Sequence, residues 1–326
     1  MQTFATLYTL DESGGKQLGI EFFPSKNLVH CSSAILSANK FIRKLNGGSQ
    51  SNLVQANDSK YYVVKMMDNP QGSNVLANES LGAAVARAVG LPVADSKGIY
   101  LSDTFIDSFP ALWFESPAGR RRPNKGVHFG SLFIGQPSGP QRPNEYISPS
   151  RVDNIANRQD FLGMYILDVW ANHQDSRQAV FCRSSDGTQK AFFIDHGHMF
   201  GGPEWTFQDR PGIAFHLEKN IYADLWNEDQ VASWISHFQV VIPSALSYAN
   251  VAMQSQWYKG KVDELIGRLT ERLCRLPELV RADVDDCWHL IKTRTINERL
   301  RLPDSGILDL RTSDGRSTNL RDPSVA

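Results

Sequence analysis

Glu79 falls on the apolar face of an expected helix, and that placement constrains the chain more than any other residue does. The segment Ser73 to Val89 is Ala-rich, can be capped by Ser73 or Asn74, and is stopped by Gly90-Leu91-Pro92. Within it Glu79 shares a stripe with Val75, Leu76, Ala83 and Ala86. A carboxylate on such a stripe is costly unless a cation meets it. Lys65 is the cation at hand, because it follows the β-branched pair Val63-Val64 at the end of the preceding apolar run. The end of a strand is therefore expected to meet the middle of a helix as an ion pair, the alternative being a strand-end lysine turned to solvent.

That strand belongs to a hairpin. Asn52 to Gln55 and Tyr61 to Met66 are short apolar runs on either side of Asn57-Asp58-Ser59-Lys60, a turn-forming tetrapeptide. Upstream, residues 1–30 read as a small strand-rich extension, with β-like runs Phe4 to Leu10 and Leu18 to Phe23 around Ser13-Gly14-Gly15. Downstream, strands are expected at 97–101 and 110–115. The Gly/Pro-rich stretch 116–150 follows, with its apolar segment His128 to Phe133 read as an ordered interlobe connection or a substrate-facing loop. After 150 the pattern turns helical: an apolar helix at Phe161 to Trp170, a hairpin (Ala179 to Arg183, Ala191 to Ile194), then helices near 227–240, 243–256, 260–275 and 283–298. The expected fold is α+β and bilobal: a strand-rich N-lobe with one helix at 31–115, a mostly helical C-lobe at 116–302, and a polar tail at 303–326.

Four segments carry candidate chemistry. Gly47-Gly48-Ser49-Gln50-Ser51 precedes the hairpin, and such a turn can let backbone N–H groups approach phosphate oxygens, although it also serves as an ordinary turn. Lys65 has the place of a kinase lysine that contacts nucleotide phosphates, with Glu79 as its partner. Asn172 to Gln178 and Phe193 to His198 then read as a catalytic loop and a metal-binding loop separated by a hairpin. Asp175 is placed to accept the proton of an attacking hydroxyl and Asp195 to hold Mg²⁺.

The ordered blocks GGSQS, YYVVKMMDNPQ, LANE, GLPV, HFGS, NHQDSRQAVF and FFIDHGHMFG resemble the HipA-like kinases, in particular their compact bacterial branch, over about residues 40–280. The resemblance implies a protein-kinase-like fold and use of ATP with Mg²⁺. It also implies transfer of the γ-phosphoryl group to a hydroxyl acceptor, Ser/Thr of proteins in characterised relatives. It makes Lys65 the phosphate contact, Glu79 its partner, Asp175 the catalytic carboxylate and Asp195 the metal ligand. Ser49 and Ser51 stand where some relatives phosphorylate their own phosphate-binding loop. Val180 stands where better-known kinases carry a metal-binding Asn; Gln178 or Asn172 could supply the ligand instead, and Gln178 is the one expected. The extra N-terminal domain of full-length toxin relatives has no counterpart in residues 1–30.

Two alternatives compete with an active kinase. A nucleotide-binding pseudokinase scaffold would account for Val180. A non-haem iron site could be built from His173, Asp175 and a later histidine, His196 or His198, but only one hairpin separates them. Arg120-Arg121-Arg122 reads as a solvated loop, with a substrate phosphate or acidic peptide as the alternative contact, and Trp226, Trp234, Phe238 and Trp257 read as core. Thirty-four basic and thirty-five acidic residues give a net charge of −1, which offers nothing to a nucleic-acid-coating role. No apolar run reaches membrane length and the start lacks a signal-peptide pattern, so a cytoplasmic protein with no membrane partner is expected. The four cysteines, Cys31, Cys182, Cys274 and Cys287, show no zinc spacing and are expected as reduced core residues.

Overall fold

The computed structural model describes residues 6–10, 16–20, 35–68, 70–116, 119–139 and 141–287. The first two strands, β1 (Thr6–Leu10) and β2 (Lys16–Ile20), form an antiparallel pair, while the turn expected at 13–15 lies outside the described residues. Next come β3 (Leu36–Lys44), β4 (Asn52–Ala56) and β5 (Tyr61–Lys65). The β4–β5 turn closes as the sequence indicates. Ser59 takes φ 65°, its N–H reaches the Ala56 carbonyl at 2.9 Å, and Asp58 accepts the Lys60 N–H at 3.0 Å.

Helix α1 (Val75–Ala88) ends where Gly90, at φ 86°, turns left-handed. The Leu91 and Gly90 N–H groups return to the carbonyls of Ala86 and Arg87, a Schellman closure. Then follow β6 (Ser96–Leu101), α2 (Asp103–Ser108), β7 (Phe114–Ser116), β8 (Gly119–Arg121) and β9 (Gly126–Leu132). The strand expected at 110–115 is thus reduced to the short β7, because α2 and its turn use the residues before it.

Strands β3, β4, β5, β9 and β6 close into a barrel in that order, with β6 returning parallel to β3 at Leu36–Ile99 and Ser37–Tyr100. Its interior holds Val54, Ala56, Tyr62, Val64, Ile99 and Leu101, with Phe105, Ile106 and Leu112 packed on. Residues 126–132, expected as a connection or loop, are therefore a barrel strand hydrogen-bonded to β5 and β6. A division at 115/116 separates this strand from its own barrel.

The second part of the chain is built on α3 (Asp160–Ala171), the hairpin β10 (Gln178–Arg183) and β11 (Gln189–Ile194), then α4 (Glu228–Ala252) and α5 (Val262–Cys274), with residues 276–287 also helical. Two helices were expected across 227–256, split at Pro243. The structure has one. Pro243 gives up an N–H donor, but burial of Ile242, Leu246 and Ala249 carries the helix through. Against α3 it packs closely: a Cβ on Gly163 would lie 2.6 Å from the Trp234 ring, so only glycine fits there. Trp226, Trp234, Phe238 and Trp257 pack in or against this core. The Trp257 indole, which belongs to a short 3-10 turn rather than a helix, donates to the Val127 carbonyl at 2.8 Å.

Helix α1 joins the two parts, with Leu81, Val85 and Val89 in the same core as α3 and α4. The last expected helix, 283–298, begins earlier, at 276, and its end and the polar tail lie outside the described residues. The cysteines are not the expected core residues: Cys182 and Cys287 are half-buried, Cys274 is exposed, and Cys31 lies outside the described residues. Among the described residues no helix is long and apolar enough to cross a membrane.

Candidate active site

Lys65 closes β5 and is 7% exposed. Its ammonium donates to Glu79 Oε1 on α1 and, at 2.7 Å, to Asp195 Oδ1 at the end of β11. Burial by itself would lower the Lys65 pKa, but Glu79 and Asp195 outweigh it and push it up. Burial likewise opposes the Asp195 charge, yet Lys65 overrides it and holds that carboxyl well below the usual carboxylate range. Glu79, more deeply enclosed, goes the other way: burial pushes its carboxyl up, and Lys65 pulls it only part of the way back. An ammonium has three N–H donors. Two are used here, and a third is left for an acceptor on the open side.

The Asp195 segment is held from below and from above. Asp195 itself has φ 61°, a left-handed conformation that costs a non-glycine residue roughly 1–2 kcal/mol and must be enforced by its surroundings. Enforcement comes from Arg177, 1% exposed, whose Nη1 donates to the carbonyls of Ile194 at 2.9 Å and Asp195 at 3.1 Å. The same guanidinium is forked onto Asp168 of α3, with Nε to Oδ2 at 2.8 Å and Nη2 to Oδ1. Asp168 is 1% exposed, so burial pushes its carboxyl up while Arg177 opposes the rise. From α1, Asn78 donates to the carbonyls of Gly197, Met199 and Gly202 and accepts from the Trp205 indole at 2.8 Å. Gly197 passes so close to α1 that a Cβ would stand 2.9 Å from Val75 and 3.1 Å from Glu79.

Asp175 lies in the loop between α3 and β10. That loop begins where Asn172, at φ 51°, ends α3, and it is tied to the Asp195 segment by the Gln174 N–H to the His198 carbonyl at 2.9 Å. Asp175 is half-buried, and its Oδ1 accepts the Ser176 N–H at 2.7 Å. Gln178, expected from sequence as a metal ligand, meets Asp195 through its amide nitrogen, which donates to Oδ2 at 3.1 Å. A carboxylate only accepts hydrogen bonds, so it takes the NH₂ end; the carbonyl end would face a cation only after the amide turns over. Val180 is buried on β10 and has no donor atom to offer.

Gly47 to Ser51 form the tight turn between β3 and β4, with Gly47 at φ 123° and the Gln50 N–H on the Gly47 carbonyl at 3.1 Å. Because Asn52 pairs with Val64, this turn enters β4 at the strand end that carries Lys65. Ser49 and Ser51 share a hydroxyl contact of 2.9 Å. Gln50 is committed elsewhere: its side chain bonds both backbone groups of Glu115 and takes a bond from Lys44 at 3.1 Å. The turn therefore offers backbone N–H groups and hydroxyls, and not the Gln50 side chain.

The histidines do not assemble a metal triad. His173 and His196 are buried beside Arg177, and burial first, then that cation, hold both well below the usual histidine range. His196 Nδ1 lies 3.3 Å from Arg177. Among the described residues no three His, Cys, Asp or Glu side chains gather as a ligand set. In the arginine run, Arg120 covers the Trp113 ring, Arg121 bonds the Asp68 carbonyl, and Arg122 bonds the carbonyls of Phe109, Pro110 and Leu112. The run braces its own loop and ties it to Asp68 after β5.

Sequence reasoning passed over Asp168, Arg177, Asn78 and His128. Asp168 is as conspicuous as Glu79, being a carboxylate inside the apolar run 161–170. His128 sits within the barrel wall, accepting the Met67 N–H at Nδ1 (2.9 Å) and facing the Asn124 carbonyl through Nε2 (3.1 Å). Burial lowers its pKa to about 4, so it is neutral.

No protein-family model and no curated protein matches this sequence. Among solved structures, the chain is similar to the Golgi casein kinase with Mn/ADP bound, at 16% identity over 80% of this chain and 76% of that one, with a TM-score of 0.50. It also aligns with the Helicobacter pylori proinflammatory kinase CtkA (11% identity, 82% and 99% covered, TM-score 0.44). A third match is the Shewanella oneidensis HipA–HipB–operator DNA complex (12% identity, 73% and 67% covered, TM-score 0.44). At 16% identity the likeness to the Golgi casein kinase is one of fold alone, a strand-rich N-terminal part followed by helices.

Proposed function

We propose that this chain is an ATP- and Mg²⁺-dependent phosphotransferase related to the HipA-like kinases, passing the γ-phosphoryl group to a hydroxyl acceptor, with protein Ser/Thr as the acceptor class. The observation that carries the reading is Lys65, a buried ammonium held between Glu79 on α1 and Asp195 at the end of β11. The barrel through β9 would form the N-lobe and the chain beyond it the C-lobe, with the site between them.

The residues fit the group they would hold. Mg²⁺ takes oxygen ligands and keeps several waters, so a single well-ionised carboxylate plus one amide oxygen is a sufficient protein contribution. Asp195 is kept ionised by Lys65, and Gln178 is within hydrogen-bond distance of it. When bound, the metal would neutralise charge on the nucleotide phosphates. Lys65 would hold phosphate oxygens with its remaining donor, its position fixed by Glu79. The backbone N–H groups of the Gly47–Ser51 turn would cover the phosphates, with Ser49 and Ser51 as candidate self-acceptors. Asp175 would orient the acceptor hydroxyl and take its proton.

A second reading, a nucleotide-binding scaffold that transfers nothing, draws on Val180, which puts a buried apolar side chain where a second ligand is usual. Incubation with γ-labelled ATP and Mg²⁺ separates the two. Labelled protein or released phosphate supports the phosphotransferase; nucleotide binding without either supports the scaffold; no Mg²⁺-ATP binding overturns both.

A further inference from the structure

At the far end of the β10–β11 hairpin from Asp195 lies a cavity of about 480 Å³, lined by Arg142, Arg151, Arg183, Asn144, Asn154 and Gln189, with no acidic side chain in its wall among the described residues. We propose that it binds a phosphate monoester, the phosphoryl group on the arginines and the ester's polar remainder on the three carboxamides. Three guanidinium groups brought to one cavity repel one another, and in a chain of net charge −1 that convergence is not a consequence of composition. None of the three is ion-paired among the described residues, whereas Arg87, Arg158, Arg177 and Arg272 each meet a carboxylate. A planar guanidinium fork matches phosphate oxygens bidentately, which makes unpaired arginines around a cavity a recognition device for that dianion.

Gln189 gives the independent observation. It is 6% exposed, its backbone is fixed by pairing with Arg183 and by the Ala156 N–H at 2.8 Å, and its side-chain oxygen is buried with no partner. A buried carbonyl oxygen without a donor is costly and rare. A ligand carrying an N–H or O–H beside its phosphate would satisfy it. The volume agrees, being of the size of sites for small organic ligands rather than that of a single ion. From Gln178 to Arg183 the strand covers roughly 16 Å at about 3.3 Å per residue, so the cavity is separate from the Lys65 site and shares the hairpin with it. Both phosphorylated side chains and free phosphorylated metabolites have the required chemistry.

Calorimetry with the full chain tests this, using N-acetyl-phosphoserine amide, glycerol 3-phosphate and inorganic phosphate as probes. The arginines are exposed, so the triple variant Arg142→Ala/Arg151→Ala/Arg183→Ala should fold; it is expected to bind the organic esters at least about tenfold more weakly, the loss of one or more charge-assisted hydrogen bonds. Gln189→Leu should weaken the organic esters and leave inorganic phosphate unchanged. All affinities are measured without nucleotide or Mg²⁺, which keeps this result apart from the fate of the kinase reading. Tighter binding of the phosphoserine amide identifies a phosphorylated protein segment as the source, and tighter binding of glycerol 3-phosphate a metabolite. Absence of binding at millimolar probe, unchanged affinity in the triple variant, or inorganic phosphate binding as tightly as both esters would each overturn the assignment.

Discussion

Replacing Arg177 by Met should cost about 3–5 kcal/mol of folding stability, the expense of stranding a buried carboxylate. The guanidinium and Asp168 are each 1% exposed and joined by a two-bond fork, so removing the cation leaves a buried carboxylate without its counter-charge. The carbonyls of Ile194 and Asp195 lose their donor as well. Burial already pushes the Asp168 carboxyl up against the pull of Arg177, and in the variant that push is unopposed. An acid whose folded pKa is raised loses stability as pH climbs above its unfolded value, near 3.9. The deficit of Arg177→Met should therefore be smallest near pH 4 and grow toward neutrality. Urea unfolding midpoints at several pH values read this directly. The double variant Asp168→Leu/Arg177→Met removes both charges and should recover part of the loss, because no ion is left unpaired. A deficit below about 1 kcal/mol, a deficit independent of pH, or a double variant as unstable as the sum of the singles would refute the reasoning.

Three further outcomes are expected. Asp195→Asn should weaken Mg²⁺-ATP binding in calorimetry, whereas Asp175→Asn should bind normally and turn over about 100-fold more slowly or worse; equal binding defects would mean the two roles are misassigned. Gln178→Leu should raise the Mg²⁺ concentration needed for half-maximal turnover while the protein stays folded, and an unchanged requirement would show that the amide only hydrogen-bonds Asp195. His128 is neutral in the fold with a pKa of about 4 against 6.5 when unperturbed, so the unfolded chain takes up its proton first. Its contribution is fully present above pH 6.5 and lost as pH falls toward 4, a change of about 3 kcal/mol, and His128→Gln should flatten the stability–pH slope in that window.

What could be read from sequence was local chemistry with a single solution. The Asn57–Lys60 turn fixes the β4–β5 hairpin, Gly90 fixes the end of α1, and an apolar-face glutamate needs a cation, which the structure supplies in Lys65. The elements that were misread depend on partners far along the chain. Strand β9 carries Gly126, His128 and Gly130, poor strand formers by composition; yet Gly130 is where Ile99 crosses, a Cβ there coming 2.3 Å from Ile99 Cγ1, and His128 is held by Met67 and Asn124. Pro243 marks a helix end in isolation and is carried through only because the flanking turns are buried. The sequence places Gln50 in a phosphate loop but gives no sign that its side chain is taken by Glu115, 65 residues on.

The central claim, that the Lys65–Glu79–Asp195 cluster transfers a phosphoryl group, is tested most directly by γ-labelled ATP and Mg²⁺ given in parallel to the wild type and to Lys65→Met. The variant should remain folded, with some loss of stability from the stranded Glu79, and its rate of phosphoryl transfer should fall by at least about 100-fold, the scale set by removing one charge-stabilising donor. Wild-type turnover in a folded Lys65→Met protein would contradict the account.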